Sequence, residues 1–260
     1  MTEPAKLIAT SPVDAGVLLL RLDRLAQRNA LSGELLRQVA ALLVAAETDP
    51  AIRCVVVTGD ARAFSAGADI KEMQRDGFHA ISHHARQSAW HAIEHFSKPI
   101  IAAVRGLCLG GGLEFAMLAD IIIAADDAVF GQPEITIGIL PGDGATQRLT
   151  RVIGKSLTMK MVLTGEPVSA AELLQRGLIA EMLPAELVVE RALVLARLIA
   201  RRAPVAARLA KEAVLAAYET SLSAGLDVER RAVRLAFHTE DQKEGMAAFV
   251  EKRAAIFTGR

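Results

Sequence analysis

Short runs of β-branched and aliphatic residues alternate with stretches of helical spacing along the first two thirds of the chain. The strand-like runs occupy residues 17–22, 54–58, 100–104 and 121–124. Leucine and valine recur on one helical face over 35–43, just after Ser32, which predicts a helix capped by that serine. A second helix is predicted over 85–96 and ends before Pro99, because the residue ahead of a proline is disfavoured in the helical region. This alternation is typical of an α/β fold.

The pattern changes after Pro141, where strand-like runs largely vanish. Ser169 and Thr239 each begin a capping box, whose two side chains satisfy the first free amides of a helix. Helices are predicted over about 185–202, 205–218, 221–237 and 241–253. We therefore expect an α/β core over residues 1–200, followed by a helical C-terminal region over 201–260.

The charge and composition exclude several classes of partner. Thirty Lys and Arg residues balance thirty Asp and Glu residues, so no global field draws the protein to nucleic acid or to anionic lipid. Aromatic residues make up only 4% of the chain, which argues against a stacking surface for single-stranded nucleic acid. Hydrophobic residues make up 52%, and this excess belongs in a core or at subunit contacts.

Membrane insertion and secretion receive no support from the sequence. No uncharged run reaches the length that a bilayer span requires, so no membrane partner is expected. The first residues lack the basic start and apolar stretch of a signal peptide, which predicts a cytoplasmic location. Cys54 and Cys108 lie in apolar runs typical of buried free thiols, and no disulfide is expected.

Two glutamates stand alone in long uncharged stretches. Glu114 is the only charged residue of 106–119, and Glu134 is the only one of 128–142. An ionised carboxylate among aliphatic residues must be paired, hydrogen-bonded or held partly protonated with a raised pKa, and acid–base catalysis uses the last of these states. Each glutamate alone could be a buried structural acid. Two of them beside glycine turns favour catalysis.

Two turns of small residues could bring backbone amides close to a ligand. Gly110-Gly111-Gly112 follows a strand and opens a helix, a junction whose free N–H groups suit an oxyanion, although it is equally typical of a tight packing turn. The second turn lies in 64–73 and has an Ala-Gly-Ala core, and from this segment alone Asp69 is most simply the N-cap of a short helix. Asp143 likewise predicts an N-cap for the helix that follows it.

Other chemistries lose support. The glycine spacing is not G-x-G-x-x-G, and no G-x-x-x-x-G-K-[ST] occurs, which argues against nicotinamide and nucleoside-triphosphate binding. Ser65 lacks the G-x-S-x-G elbow of a hydrolase. No HExxH or Cys/His spacing accompanies the histidines near the helix predicted over 85–96, so a solvated helix face is favoured over a metal site. These histidines are His79, His83, His84, His91 and His95.

Taken together, the motifs resemble those of the enoyl-CoA hydratase/isomerase (crotonase) superfamily, and specifically its hydratases with two catalytic glutamates. The match covers nearly the whole chain, at 29–31, 64–73, 106–120, 130–135, 154–156 and 239–252. The resemblance implies a spiral of ββα units with a helical C-terminal trimerisation region. It also implies a homotrimer or a hexamer built as a dimer of trimers, an acyl-CoA thioester substrate, and neither a metal nor a separate cofactor.

The resemblance further implies a role for individual residues. The amides of Ala68 and Gly111 would form an oxyanion hole around the thioester carbonyl. Glu114 would activate a water for attack on C3, and Glu134 would deliver a proton to C2, in a syn addition. The residues implied to contact substrate or CoA are Ala66, Asp69, Ile70, Lys71, Gly142, Phe249 and Lys252, where Gly142 helps to orient the water and the last two often reach across from a neighbouring subunit.

The chain departs from the family pattern at a few positions. Asp143 and Ala145 replace the alanine and glycine that members commonly carry, and a carboxylate near the acyl end is expected to narrow the substrate range. Leu25 stands about where a proline usually precedes the Asn-Ala-Leu element.

The sequence as a whole predicts reversible hydration of a trans-2-enoyl-CoA to a 3-hydroxyacyl-CoA, a reaction of fatty acid metabolism. One alternative is an isomerase or another acyl-CoA lyase of the same fold. A second is a non-catalytic protein that binds CoA or RNA, although neutral charge and few aromatics count against RNA. A third is a hydrolase that uses Ser65.

Overall fold

Strands and helices alternate through the first two thirds of the protein in the computed structural model, which describes residues 7–260. The strands are β1 (Ile8–Asp14), β2 (Val17–Leu22), β3 (Cys54–Thr58), β4 (Ala63–Ser65), β5 (Ile100–Val104), β6 (Leu107–Leu109), β7 (Ile121–Ala125), β8 (Val129–Gly131), β9 (Val168–Ser169) and β10 (Glu181–Leu183).

The α-helices begin after β2 and dominate the C-terminal third. They are α1 (Gly33–Thr48), α2 (Ile70–Asp76), α3 (His79–Ser82), α4 (His84–Glu94), α5 (Gly111–Ala116), α6 (Ala145–Ile153), α7 (Lys155–Thr164), α8 (Ala170–Gln175), α9 (Val188–Ala200), α10 (Pro204–Ala216), α11 (Leu222–Phe237) and α12 (Glu240–Glu251). Two 3₁₀ helices cover Leu25–Gln27 and Pro133–Ile137.

Two sheets share the strands in a repeating order. The larger sheet runs β1-β2-β3-β5-β7-β10 and is parallel except for the β1–β2 pair. The smaller sheet runs β4-β6-β8-β9 and is parallel except for the β8–β9 pair. Three times in succession, a strand of the large sheet is followed by a strand of the small sheet and then by helix. This is the predicted spiral of ββα units.

Burial on both faces explains why the strands read as continuous apolar runs. Every residue of β3 and β5 is buried, as expected for parallel strands covered on both sides. Helix α9 packs across β3, β5 and β7 and buries a row of residues one turn apart. That row is Val188, Ala192, Ala196 and Ala200. The small side chains let the helix approach the sheet closely.

Helix α1 begins where the sequence predicts it, because the Ser32 side chain accepts a hydrogen bond from the Leu35 amide. Its apolar face packs against α4. The end of α1 is tied by Lys98, a buried residue whose Nζ donates to the carbonyl oxygens of Ala46, Asp49 and Ile52 at 2.6 Å, 2.7 Å and 2.8 Å. The Ala46 carbonyl lies in the last turn of α1, where carbonyls have no intrahelical partner, and the other two belong to the segment that follows the helix.

The C-terminal third is helical, as predicted. Ser169 and Thr239 cap α8 and α12 through the expected side-chain hydrogen bonds. Helices α10 and α11 pack on each other but bury no residue, and they expose large apolar side chains. These are Val214, Leu215, Leu222, Leu226, Val233, Leu235 and Phe237. The division into 1–200 and 201–260 stays a prediction.

Across residues 7–260, no helix combines the length and the apolar character that a membrane span requires. The N-terminal segment considered for a targeting signal lies mostly outside the described residues.

Candidate active site

A cavity of about 1840 Å³ opens between the small sheet and helices α4, α6 and α10. Its wall includes both isolated glutamates, Glu114 and Glu134, and also Ala68 and Gly111, whose amides the family resemblance implies as oxyanion donors. Two glutamates that are 20 residues apart in the sequence therefore border the same cavity.

The small sheet explains this convergence. Strands β4, β6 and β8 are parallel neighbours, so their carboxyl ends lie at one edge. Ala68 follows β4, Gly111 follows β6, and Glu134 follows β8. Ligands of parallel α/β sheets bind outside the carboxyl ends of the strands for this reason.

Glu114 lies on the first turn of α5 and is only 2% exposed. Its Oε1 accepts hydrogen bonds from the amides of Asp143 at 2.8 Å and Ala145 at 3.0 Å. Burial raises the pKa of Glu114 to about 7, the two amides oppose that rise, and the nearby charges of Asp143 and Glu134 add to it. A carboxyl in this state can gain or lose a proton near neutral pH.

Glu134 lies in the 3₁₀ helix directly after Pro133 and is half-buried. The buried Gln132 side chain turns its amide nitrogen to this carboxyl, 3.0 Å from Oε1 and 3.1 Å from Oε2. Burial is the main cause that raises the pKa of Glu134, and the charge of Asp143 adds to it. The second carboxyl is thus also shifted toward its protonated form.

The amides of Ala68 and Gly111 lie side by side without acceptors in the described chain. An isolated parallel bridge joins Leu31 to Ala68, but its two hydrogen bonds use the amides of Leu31 and Asp69 and leave the Ala68 amide out. Gly111 is the first residue of α5, where an amide has no acceptor within the helix. A Cβ built on Gly111 would stand 3.5 Å from Ala68 N, which places the two donors next to each other.

Only some of the predicted binding residues in segment 64–73 line the cavity. Ala66 and Ile70 line the cavity, whereas Lys71 is exposed and does not. Asp69 also stays off the cavity wall, because its carboxylate accepts from the amides of Lys71 and Glu72 and pairs with Arg24 at 2.7 Å. The sequence expectation that Asp69 caps a short helix is confirmed. Its contact with CoA stays a prediction.

Gly142 lines the cavity, but Phe249 and Lys252 do not. Phe249 is 85% exposed on α12 and borders a separate cavity of about 880 Å³ formed with the C-terminal tail. Lys252 is exposed at the end of α12. Within one protomer, these two residues are therefore apart from the glutamates.

The prediction that Asp143 caps the following helix is wrong. Gly144 occupies the N-cap of α6, with a φ of 114° and no side-chain cap. The Asp143 carboxylate instead binds Arg86 on α4 through both guanidinium ends. Sequence reasoning missed Arg86, since nothing local marks an arginine whose partner lies 57 residues away.

Ser65 and the five histidines take structural or surface positions. Ser65 is fully buried, and its Oγ donates to the Asn29 carbonyl oxygen at 2.8 Å, which leaves it bound to backbone rather than to a base. All five histidines are exposed, as the solvated-face interpretation predicted. His91 and His95 stack with ring centroids 3.9 Å apart at the cavity wall. The residues described by the structure hold no cluster of three or more His, Cys, Asp or Glu suited to a metal.

This fold and site define an acid–base enzyme, because two carboxyls with raised pKa values share a cavity with free amide donors. The chain belongs to the enoyl-CoA hydratase/isomerase family, whose sequence model matches residues 13–260.

Individual relatives agree with this assignment. The chain is 48% identical over 244 residues to the 2,3-dehydroadipyl-CoA hydratase of Escherichia coli (strain K12), covering 94% of this chain and 96% of that protein. It is 46% identical to the mitochondrial enoyl-CoA hydratase of Pongo abelii, covering 92% of this chain and 82% of the relative. The solved structure of an enoyl-CoA hydratase from Bacillus anthracis matches with a TM-score of 0.92 at 36% identity, covering 98% of this chain and 100% of that one.

Proposed function

We propose that the protein is an enoyl-CoA hydratase, which adds water reversibly and with syn geometry across the C2–C3 double bond of a trans-2-enoyl-CoA. The product is a 3-hydroxyacyl-CoA. The observation that carries the proposal is the placement of Glu114 and Glu134 in one cavity with the free amides of Ala68 and Gly111. Relatives named as hydratases of enoyl-CoA compounds, at 43% to 48% identity, support it.

In this proposal, the thioester carbonyl oxygen accepts hydrogen bonds from the amides of Ala68 and Gly111. The two donors draw electron density from C3 and stabilise the enolate charge that develops when oxygen adds there. Loss of one such donor typically raises a barrier by about 3 to 4 kcal/mol. The polarised carbonyl is what makes an ordinary water a sufficient nucleophile, so the reaction needs no metal and no redox cofactor.

Glu114 is the base in the hydration direction. Its Oε1 is held by two amides, whereas its Oε2 accepts no hydrogen bond from residues 7–260 and is open to a water. Glu114 takes a proton from that water, the remaining hydroxide adds to C3, and the protonated Glu134 gives its proton to C2. Solvent exchange then returns a proton to Glu134 and removes one from Glu114. A pKa near 7 suits a group that must change state at neutral pH.

The binding of the CoA moiety and the assembly belong to the same proposal. Ala66 and Ile70 line the route into the cavity, and Gly142 supplies an amide near the water. Phe249 and Lys252 would contact CoA only from a neighbouring copy, since they lie outside this cavity in their own protomer. The exposed apolar faces of α10 and α11 support a homotrimer or a hexamer built as a dimer of trimers. The cytoplasmic location stays a prediction.

The test follows the absorbance of crotonyl-CoA, which falls as its conjugated double bond is hydrated. Wild-type protein should lower it, and Glu134→Gln should reduce kcat by about a hundredfold or more. Glu166→Gln is the matched control, because that glutamate is exposed and lies outside the cavity wall. Unchanged absorbance with the wild type, or full turnover by Glu134→Gln, would refute the proposal.

A panel of enoyl-CoA thioesters defines the substrate range and separates the alternatives. It should include short, long and carboxylate-ended acyl chains, since one relative is named for dehydroadipyl-CoA. Turnover of a 3-enoyl-CoA to a 2-enoyl-CoA without hydration would favour the isomerase. Salt-sensitive RNA binding with no turnover of any thioester would favour the binding protein.

A further inference from the structure

Asp143 lies between Gly142 and Gly144, and all three of its polar groups are bound. Its amide donates to Glu114 Oε1 at 2.8 Å, and its carbonyl oxygen accepts from Arg148 Nη1 at 3.1 Å. Its carboxylate accepts from both Nη1, at 2.8 Å, and Nη2 of Arg86. One loop residue thus links α4, α5 and α6.

We propose that Arg86 and Asp143 are positioning residues for Glu114: their ion pair anchors the 142–144 loop to α4, so that the loop amides hold Glu114 in its reactive orientation. The pair also places a positive charge against the Asp143 carboxylate inside the cavity. The kinetic part of this inference rests on the proposed hydratase function.

The loop needs an anchor because glycines flank Asp143. A Cβ added to Gly142 would meet nothing within 4 Å, so packing does not fix this residue, whereas Gly144, with a φ of 114°, lies directly against the Arg148 guanidinium. Ordering a free residue costs about 1 to 2 kcal/mol. The two hydrogen bonds from the loop amides to Glu114 cannot hold the loop well on their own, because the Glu114 carboxylate changes its charge during the reaction. The ion pair to α4 keeps its charge and therefore fixes the loop throughout the cycle.

The Arg86–Asp143 ion pair is more buried than an ordinary surface ion pair. The Arg86 and Asp143 side chains keep only 18% and 15% of their exposure. Arg86 also lies over the ring of Trp90, 5.7 Å from its centroid, and Trp90 meets Phe115 edge-on at 6.5 Å. Phe115 follows Glu114 in α5, so Arg86 reaches the catalytic segment along two separate paths.

Besides anchoring the loop, Asp143 influences the pKa of both glutamates through its charge. After burial, which is the main cause, this charge raises the pKa of Glu114 and of Glu134. Other charged or titratable groups on the same cavity wall are, from α4 and its C-cap, Arg86, His91, Glu94 and His95; from α6, Arg148 and Arg151; before β7, Asp120; and from α10 and the residues after it, Lys211, Tyr218 and Glu219. Among them, Arg86 alone binds the Asp143 carboxylate, and Arg148 is itself paired with Glu94. Removing the Arg86 guanidinium therefore makes the local charge more negative, whereas removing the Asp143 carboxylate makes it more positive.

The experiment compares four variants with the wild type: Arg86→Gln, Asp143→Asn, the double variant, and the control Arg191→Gln. Arg191 makes a bidentate pair with Glu181, and neither residue lines the cavity. Two readouts are used. One is the pH dependence of kcat and KM with crotonyl-CoA. The other is the infrared carboxyl stretch during a pH titration of the free protein, assigned to Glu114 by its loss in Glu114→Gln.

Arg86→Gln leaves Asp143 unpaired, so the Glu114 titration should move up by about one unit. Asp143→Asn leaves Arg86 unpaired, so the titration should move down by about one unit. The double variant has little net change in local charge, so its titration should lie between those of the single variants, but it also lacks the anchor, so its kcat should stay as low as theirs. Both single variants should lose about ten- to a hundredfold in kcat with little change in KM, because the carboxyl is misplaced while substrate contacts remain. Arg191→Gln should match the wild type in both readouts.

Two results would overturn the inference. One is a shift in the same direction, or no shift, in both single variants, which a purely structural pair would give. The other is an unchanged kcat in both. If the wild type hydrates no enoyl-CoA, the proposed function fails first, and the infrared titration still decides whether the pair sets the charge state of Glu114.

Discussion

Replacing Glu114 by glutamine should make the protein more stable at alkaline pH while it abolishes hydration. The folded-state pKa of Glu114 is raised from its usual 4.5 to about 7. Between these values, the folded protein binds more protons at this site than the unfolded chain does, so the free energy of unfolding falls as pH rises through that window. Above about pH 7, the ionised Glu114 destabilises the fold to its full extent.

The size of the effect follows from the shift. One pKa unit corresponds to about 1.4 kcal/mol, so Glu114 destabilises the folded state by about 3 kcal/mol near pH 8 and by less than about 1 kcal/mol near pH 5. Glutamine keeps an oxygen that can accept from the amides of Asp143 and Ala145, but it carries no charge. Glu114→Gln should therefore gain about 3 kcal/mol over the wild type near pH 8 and much less near pH 5.

Urea unfolding at both pH values, at one fixed protomer concentration, measures this difference directly. The crotonyl-CoA assay on the same samples should show at least a hundredfold loss of kcat, since the base is gone. Glu166→Gln serves as the control and should change neither quantity. An equal gain at the two pH values would mean that glutamine simply packs better. No gain near pH 8 would mean that Glu114 is not held at a raised pKa.

Further predictions concern the amide donors, the core and the rejected hydrolase. Gly111→Ala should keep the stability of the wild type within about 1 kcal/mol, because its nearest contact would be Ala68 N at 3.5 Å, and it should lower kcat/KM about a hundredfold by crowding the carbonyl site. Lys98→Met should cost about 2 to 4 kcal/mol in urea unfolding without changing kcat, because the carbonyl oxygens of Ala46, Asp49 and Ile52 lose a charged donor. Ser65→Ala should lose about 1 kcal/mol with the hydrogen bond to Asn29 and retain turnover, whereas a hydrolase would be abolished.

Most of the fold could be predicted from the sequence, because interactions between residues close together in the chain determine where its strands and helices begin and end. β3 and β5 begin and end where their apolar runs do, because buried parallel strands have no polar face to interrupt the pattern, and β2 also matches its run although Arg21 lies within it. Ser32, Ser169 and Thr239 cap their helices through hydrogen bonds that span only three residues. Such signals are complete within a few positions and need no tertiary structure to act.

The failed prediction at Asp143 shows the limit of that reasoning. A loop aspartate before a helix has two ways to satisfy its carboxylate, the first free amides of the helix or a distant cation. A bidentate arginine is the stronger partner here, and it also lets the amide of Asp143 turn to Glu114. The outcome depends on where α4 passes the loop, which only the folded chain determines. The positions of Phe249 and Lys252 depend likewise on contacts beyond one protomer.

The three consecutive glycines show that a packing turn and an anion site need not be alternatives. Gly110 has a φ of 51°, and a Cβ there would lie 2.7 Å from Glu134 Oε1. A Cβ on Gly112 would lie 2.5 Å from the Ser65 carbonyl oxygen. These two glycines are required by close packing of α5 against the neighbouring segments. Gly111 has an ordinary φ and no close contact, so neither strain nor packing requires glycine there. Under the proposed function, the space beside Ala68 N that its missing side chain leaves open would admit the thioester oxygen to both amides.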